Sequence, residues 1–209
     1  AELNYIKGIN PNDFVAQLTA EARQAAALVV DVGQHQMWAA QSAVIDTHTR
    51  FITSGGMGAM GFALPAAIGA SISGGGAPVL VIAGDGGFQL NIQELQTVVR
   101  NHLPIKTVIL NNGCHGLVRQ FQQSYFEERY QSTVWGYSAP DFAAVARAYG
   151  IESATISSVN QIKNSIQQLL SNADRPFLLQ VMIDMTANAY PKVAFRSSLS
   201  EMEPLIPQS

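Results

Sequence analysis

Charge is scarce in this sequence: only 13% of its 209 residues are Asp, Glu, Lys or Arg, and the formal net charge is −3. No Lys- or Arg-rich run exists, which argues against nucleic acid as a partner. Cysteine is nearly absent. Cys114 stands alone, which excludes an internal disulfide and suits a reducing, cytoplasmic location. No apolar run reaches the roughly 18 residues of a membrane span, and the opening AELNYIKGINPND lacks the basic-then-apolar layout of a secretory signal. A soluble protein that neither enters nor crosses a membrane is therefore expected. Internal repeats and low-complexity segments are missing too. What is present is a 47% apolar chain of single-domain length, able to bury a full hydrophobic core. So few charges also imply that other protein covers part of its surface.

Apolar runs of strand length recur at 28–32, 51–53, 78–83, 105–110, 151–156 and 177–183. Between them lie segments with helical spacing. Phe14, Val15, Leu18 and Ala22 share one face, Ile92, Leu95 and Val99 another, and Phe142, Val145, Ala146 and Tyr149 a third. Pro140 suits a first helical turn, and Ser158 with Gln161 has capping-box spacing. Strands that are apolar almost throughout and alternate with helices predict a doubly wound α/β domain. Its expected core is a mostly parallel six-stranded sheet with helices on both faces. Residues 1–10 are read as the end of a linker, 11–185 as the domain, and 186–209, with Pro191, Pro204 and Pro207, as an irregular tail.

Such sheets bind ligands at the carboxyl ends of their strands. Four loops there carry unusual residues: GQHQ (33–36), SGGMGAMG (54–61), AGDGG (83–87) and NNGCHG (111–116). Asp85 and Asn112 are 27 residues apart, one helix plus one strand, so both fall at strand ends. A carboxylate and an amide carbonyl converging there form the hard-oxygen site that Mg²⁺ prefers, with substrate phosphates completing its octahedron. Gly86 and Gly87 let backbone approach a bulky anion, and a helix opening near Gln89–Asn91 would aim free N–H groups at it. Two other classes fit these residues. Gly56, Gly58 and Gly61 match the G-x-G-x-x-G fingerprint of a dinucleotide-binding oxidoreductase, with Asp85 as the acidic partner. A non-catalytic assembly domain with a decayed site is the other.

GDG, then 24 residues, then NN is the motif of thiamin diphosphate enzymes. DVGQHQMWAAQ, SGGMGAMGFALPAAIGA, IQEL and LNNGCHGLVRQF resemble acetohydroxyacid (acetolactate) synthases, from about residue 31 to 149, and NAYPKV resembles that family's C-terminal tail. The resemblance implies the third, diphosphate-binding domain of a larger enzyme. That enzyme decarboxylates a 2-keto acid, pyruvate foremost, and transfers the two-carbon unit to a carbonyl acceptor. It implies Mg²⁺ on Asp85, Asn112 and the backbone carbonyl of Cys114. Gln34 and His35, with backbone of Gly86 and Gly87, would contact the diphosphate. Met60 would hold the cofactor bent, Gly58 would accept from its aminopyrimidine amine, and His115 and Gly116 would complete the cofactor set.

Leu117 and Phe121 would edge the substrate pocket, while Arg119 and Gln120 receive no role. The resemblance places the activating glutamate in the pyrimidine-binding domain, outside this chain, so no catalytic residue is assigned here. That domain, a central domain and further copies of the chain are the expected partners. FAD is compatible with the full-length enzyme but is not expected on this domain. Where relatives carry V-x-Q-W, residues 118–121 read VRQF. The smaller ring of Phe121 leaves the acceptor open, with a keto-sugar nucleotide of polysaccharide biosynthesis as the alternative to a second keto acid.

Overall fold

The computed structural model describes residues 6–194 and 196–203. Residues 1–5 of the expected linker, and Pro204 and Pro207 of the expected tail, lie outside the described residues. The chain opens with α1 (Pro11–Glu21), started by the side chain of Asn10, which accepts from the Asn12 and Asp13 N–H groups, and by Pro11 in the first turn. Then follow β1 (Ala27–Val30), α2 (Gln34–Ser42), β2 (Arg50–Thr53), α3 (Ala63–Ser73) and β3 (Val79–Gly84). Next come α4 (Asp85–Phe88), a 3₁₀ stretch (Gln89–Glu94), α5 (Leu95–Arg100), β4 (Ile105–Asn111) and α6 (Gly116–Tyr125). The domain closes with α7 (Phe142–Ala148), β5 (Glu152–Ile156), α8 (Ile162–Leu170) and β6 (Phe177–Met182).

The six strands form one sheet in the order β2-β1-β3-β4-β6-β5, and every pairing is parallel. The doubly wound sheet expected from the apolar runs is present. Alternate residues feed two cores. Leu28, Val30, Leu80, Ile82, Leu179 and Val181 pack with Phe14, Leu18, Trp38, Ile166 and Leu169 on one face. Ala27, Val29, Val79, Val81 and Leu178 pack with Leu64, Leu95, Val98 and Phe142 on the other. With both faces covered, the central strands read as continuous apolar runs rather than alternating ones.

Ile92, Leu95 and Val99 share a face as their spacing predicts, packing together with Val98 against the second core. Two local expectations need correction. α7 starts at Phe142 with Asp141 accepting from the Ala144 N–H, so Pro140 precedes the cap rather than occupying the first turn. The helix after β3 opens at Asp85 itself, not at Gln89–Asn91. The Ser158–Gln161 capping box forms as its spacing predicts. In the tail, β7 (Lys192–Val193) and β8 (Met202–Glu203) pair antiparallel.

After β1 the chain goes outward to β2, then returns to the other side of β1 as β3. This reversal opens a crevice at the carboxyl ends of β1 and β3, and β4 borders it. Such switch points are where doubly wound sheets bind ligands.

Candidate functional site

At that switch point lies a cleft of about 410 Å³, lined among others by Gln34, His35, Met60, Asp85, Gly86, Gly87, Asn112, Cys114, His115, Gly116 and Leu117. Eleven of the thirteen residues singled out from sequence thus meet in one place. The other two, Gly58 and Phe121, are not among its lining residues. Gly58 takes a left-handed turn, φ 68°, in the exposed loop after β2, and Phe121 packs beside Tyr125 and Phe126 on the outer face of α6.

Asp85 is the first residue of α4 and is only 2% exposed. Burial raises its carboxyl above the ordinary value, opposed chiefly by a hydrogen bond from the Tyr137 hydroxyl to Oδ2 at 2.7 Å. Burial and the facing carboxylate in turn push the Tyr137 phenol well up. Asn112, just beyond β4, donates from Nδ2 to Gln34 Oε1 at 3.1 Å, and its Oδ1 accepts from the Cys114 N–H at 3.3 Å. No Lys or Arg among the described residues lines the cleft. Among the described residues, no group of three His, Cys, Asp or Glu side chains could hold a metal, so any ion here would need carbonyl and ligand oxygens.

Small residues make the floor. A Cβ on Gly86 would lie 2.7 Å from His115 Nδ1, and one on Gly84 would lie 2.7 Å from His35 Nδ1. On Gly87 it would collide with Asp31 Oδ2, and on Gly116 with Gln34 Oε1 and Asn112 Nδ2. His35 is buried and its imidazole is pushed down to about 4 by desolvation, so the ring is neutral near pH 7. Its Nε2 has no hydrogen-bond partner among the described residues. A buried, neutral ring nitrogen without a partner, set in a glycine-floored cleft, is suited to a polar ligand group. The Cys114 thiol is buried and raised to about 11, mainly by desolvation, so it is a poor nucleophile at neutral pH.

Three residues matter here that the sequence reading did not single out. Asp31, at the end of β1, accepts from the Gly61 N–H at 3.1 Å and the Phe62 N–H at 3.0 Å, pinning the glycine loop that carries Met60. Its signal was available, a carboxylate closing an apolar strand as Asp85 does. Gln120 accepts from Gln34 Nε2 at 2.9 Å and from the Ala189 N–H at 3.0 Å, and donates to Ala189 O at 3.1 Å. Tyr137 comes from a loop 52 residues after Asp85, and nothing local marks it. The fingerprint glycines of the dinucleotide alternative leave β2, an edge strand separated from β3 by β1. Asp85 therefore does not end the strand beside the glycine loop, as that alternative requires.

Residues 31–181 match the family "Thiamine pyrophosphate enzyme, C-terminal TPP binding domain". The chain is 46% identical to the acetolactate synthase isozyme 2 large subunit of Escherichia coli (strain K12) over 175 residues, covering 84% of this chain and 32% of that protein. It is 37% identical to the acetolactate synthase large subunit of Cyanidium caldarium over 196 residues, 94% of this chain and 33% of that one. Among solved structures, the Rhodococcus jostii RHA1 thiamine diphosphate-dependent 4-hydroxybenzoylformate decarboxylase superposes with a TM-score of 0.73 at 24% identity. That match covers 85% of this chain and 33% of that one, and at this identity it speaks for the fold. The chain spans about a third of the length of these proteins.

Proposed function

This chain belongs to the thiamine pyrophosphate enzymes, as their C-terminal TPP-binding domain, and from that premise we propose that it forms the diphosphate and Mg²⁺ half of the active site of an acetolactate synthase-like carboligase. The observation that carries this reading is the convergence of Asp85 and Asn112 over a floor of glycines at the sheet's switch point. Asp85, Asn112 Oδ1 and the Cys114 carbonyl supply hard oxygens for Mg²⁺. Gln34, His35 Nε2 and the backbone of Gly86 and Gly87 face the diphosphate, with His115 and Gly116 beside them. Met60 supports the bend of the cofactor, and Gly58 offers its backbone to the pyrimidine end.

The bound cofactor supplies an electron sink for decarboxylating a 2-keto acid, pyruvate foremost, and for passing the two-carbon unit to an acceptor. The chain's own residues would orient its diphosphate through uncharged donors, and the cation held by Asp85 and Asn112 would offset its charge in place of Lys or Arg. Met57, Met60, Leu117, Val118 and Phe121 are exposed around the cleft, which supports a pyrimidine-binding domain closing over it, supplied within a homo-oligomer. Any FAD of the complete enzyme belongs outside this chain in this reading. No helix among the described residues is long and apolar enough to cross a membrane, in line with a cytoplasmic enzyme.

Phe121, 40% exposed, ends the VRQF stretch where the family resemblance leads one to expect V-x-Q-W, and that departure supports a second reading of the acceptor as a keto-sugar nucleotide. One screen tests both. The complete protein is given pyruvate, thiamin diphosphate and Mg²⁺, with 2-ketobutyrate, a second pyruvate or a keto-sugar nucleotide as acceptor. Carboligation with a keto acid supports the first reading, product only with the sugar nucleotide supports the second, and no CO₂ release from pyruvate overturns both.

A further inference from the structure

The Tyr137 hydroxyl donates to Asp85 Oδ2 at 2.7 Å, and the loop from Phe126 to Asp141 that carries it is tied to the site and to α6 at further points. The Tyr137 ring packs edge-on against His115, with centroids 4.7 Å apart and planes at 74°. The His115 N–H donates to Thr133 O at 3.0 Å. Gln122 ties the loop to α6, accepting from Thr133 Oγ1 at 2.5 Å and donating to Gln131 O at 3.1 Å. Glu127, Glu128 and Ser132 all take left-handed backbone, φ 52°, 59° and 61°, which costs non-glycine residues energy and is held only where surroundings impose it. The hydroxyl is thus delivered to the carboxylate by a fixed scaffold rather than by a surface side chain that happens to reach it.

We propose that Tyr137 is a positioning residue for the metal: by occupying Asp85 Oδ2 it makes Asp85 a one-oxygen ligand and so favours Mg²⁺ over larger divalent cations. The inference rests on the assignment of Asp85 to Mg²⁺. A carboxylate with both oxygens free can bind a cation bidentately, a mode Ca²⁺ accepts and octahedral Mg²⁺ does not. With Oδ2 engaged, the other oxygen remains for the ion. Hydrogen-bond partners of metal ligands fix ligand orientation in this manner, and their loss typically weakens metal binding about 10- to 100-fold.

The test is Tyr137→Phe in the complete protein, which keeps the ring against His115 and removes only the donor. Thiamin diphosphate binding is followed by calorimetry while Mg²⁺, and separately Ca²⁺, is titrated. The proposal expects the Mg²⁺ concentration at half-saturation to rise about 10- to 100-fold, with a smaller rise for Ca²⁺. Cofactor affinity at saturating Mg²⁺, and the melting temperature of the Mg²⁺- and cofactor-loaded protein, should stay close to wild type, while the cation-free protein melts lower because the buried Oδ2 has lost its donor. An unchanged Mg²⁺ requirement overturns it, with the cofactor assignment intact. A parallel loss for both ions together with a lowered melting temperature of the loaded protein also overturns it, since a merely structural role would give that pattern. Absence of any metal-dependent cofactor binding in the wild type overturns both this inference and the assignment beneath it.

Discussion

Asn112 Nδ2 donates to Gln34 Oε1 across 3.1 Å, joining two loops at the ends of separate strands, 78 residues apart in sequence. The bond turns the Asn112 carbonyl away from Gln34, and Gln34 is itself fixed by donating to Gln120 Oε1 at 2.9 Å and to Ala187 O at 3.1 Å. Replacing Gln34 with Met keeps the volume but leaves Asn112 Nδ2 without its acceptor and the Ala187 carbonyl with only the long bond from Arg119 Nη2. A buried group orphaned in this way costs about 1–3 kcal/mol. The expected outcome is a melting temperature several degrees lower and a weaker Mg²⁺-dependent cofactor affinity, read by calorimetry and thermal unfolding. An unaltered affinity would show that the Asn112 amide needs no such support.

Gly86 and Gly87 are adjacent but differ in what blocks a side chain. The obstacle at Gly86 is the His115 ring, a side-chain end that can turn away. At Gly87 it is Asp31 Oδ2, locked by the Gly61 and Phe62 N–H groups. Gly87→Ala should therefore destabilise the fold by about 1–3 kcal/mol, the ordinary cost of overpacking, and Gly86→Ala by distinctly less. Urea midpoints of the two variants check the order, and equal midpoints would contradict it.

Strand positions were legible because a sheet covered on both faces demands near-continuous apolar runs, and six such runs became six strands. The loops carrying Gln34, Asp85 and Asn112 were legible because glycines cluster where backbone must approach a ligand. Helix α6 was not. Its apolar Leu117, Val118 and Phe121 are exposed, the first two along the cleft, while Arg119 and Gln120 are buried, the reverse of an ordinary amphipathic helix. The cause is tertiary. The carbonyls of Ala187 and Ala189 and the side-chain carbonyl of Asn188 lie against this helix and need donors, which Arg119 and Gln120 supply. The start of α4 was missed for a local reason, since G-D-G-G reads as a turn, although these residues continue directly from β3 into a helix. Tyr137 could not be foreseen, because its contact depends on the path of a long loop.

His35 sets an acid limit on stability. Burial lowers its pKa from 6.5 to about 4, so between those values the unfolded chain binds a proton that the native chain refuses. Its contribution is complete above pH 6.5 and is lost as pH falls toward 4, roughly 3 kcal/mol over the window. Asp31 and Asp85, both raised by burial, act in the opposite direction, but they are shared by wild type and a His35→Gln variant and cancel in the comparison. The variant's stability should fall less steeply between pH 6.5 and 4. Urea unfolding at several pH values measures this, and parallel curves would refute it.

Asp85→Asn should separate function from stability. Because the folded pKa of Asp85 is raised, the stability this group contributes is present at low pH and lost as pH rises through the folded value. Without cations, ionising this buried carboxylate costs stability. The asparagine variant, which can still accept from Tyr137, should unfold at the same or higher denaturant concentration than wild type at pH 7. That advantage should shrink toward pH 3. Thiamin diphosphate with Mg²⁺ should stabilise the wild type by about 3 kcal/mol at a hundredfold excess over the dissociation constant, and the variant hardly at all. A variant that is stabilised equally would remove Asp85 from the metal site.

The 209-residue chain alone should release no CO₂ from pyruvate. In the proposed mechanism a glutamate must reach the pyrimidine ring of the cofactor, and among the described residues no glutamate lines the cleft. Glu94 accepts from Thr97 Oγ1 at 2.7 Å in the 3₁₀ stretch, and Glu152 opens β5 at the opposite end of the sheet. Glu127, Glu128 and Glu201 are exposed, and Glu203 pairs with Lys192. Only the diphosphate end of the cofactor would be held, so the contacts described above must offset the whole ordering cost of binding. The expected result is weak, Mg²⁺-dependent cofactor binding in calorimetry with CO₂ release at the no-protein level. Adding the pyrimidine-binding part of the same enzyme should tighten binding and start turnover. Decarboxylation by the chain alone would mean that a group within it does the work assigned to that glutamate, and the division of labour proposed here would be wrong.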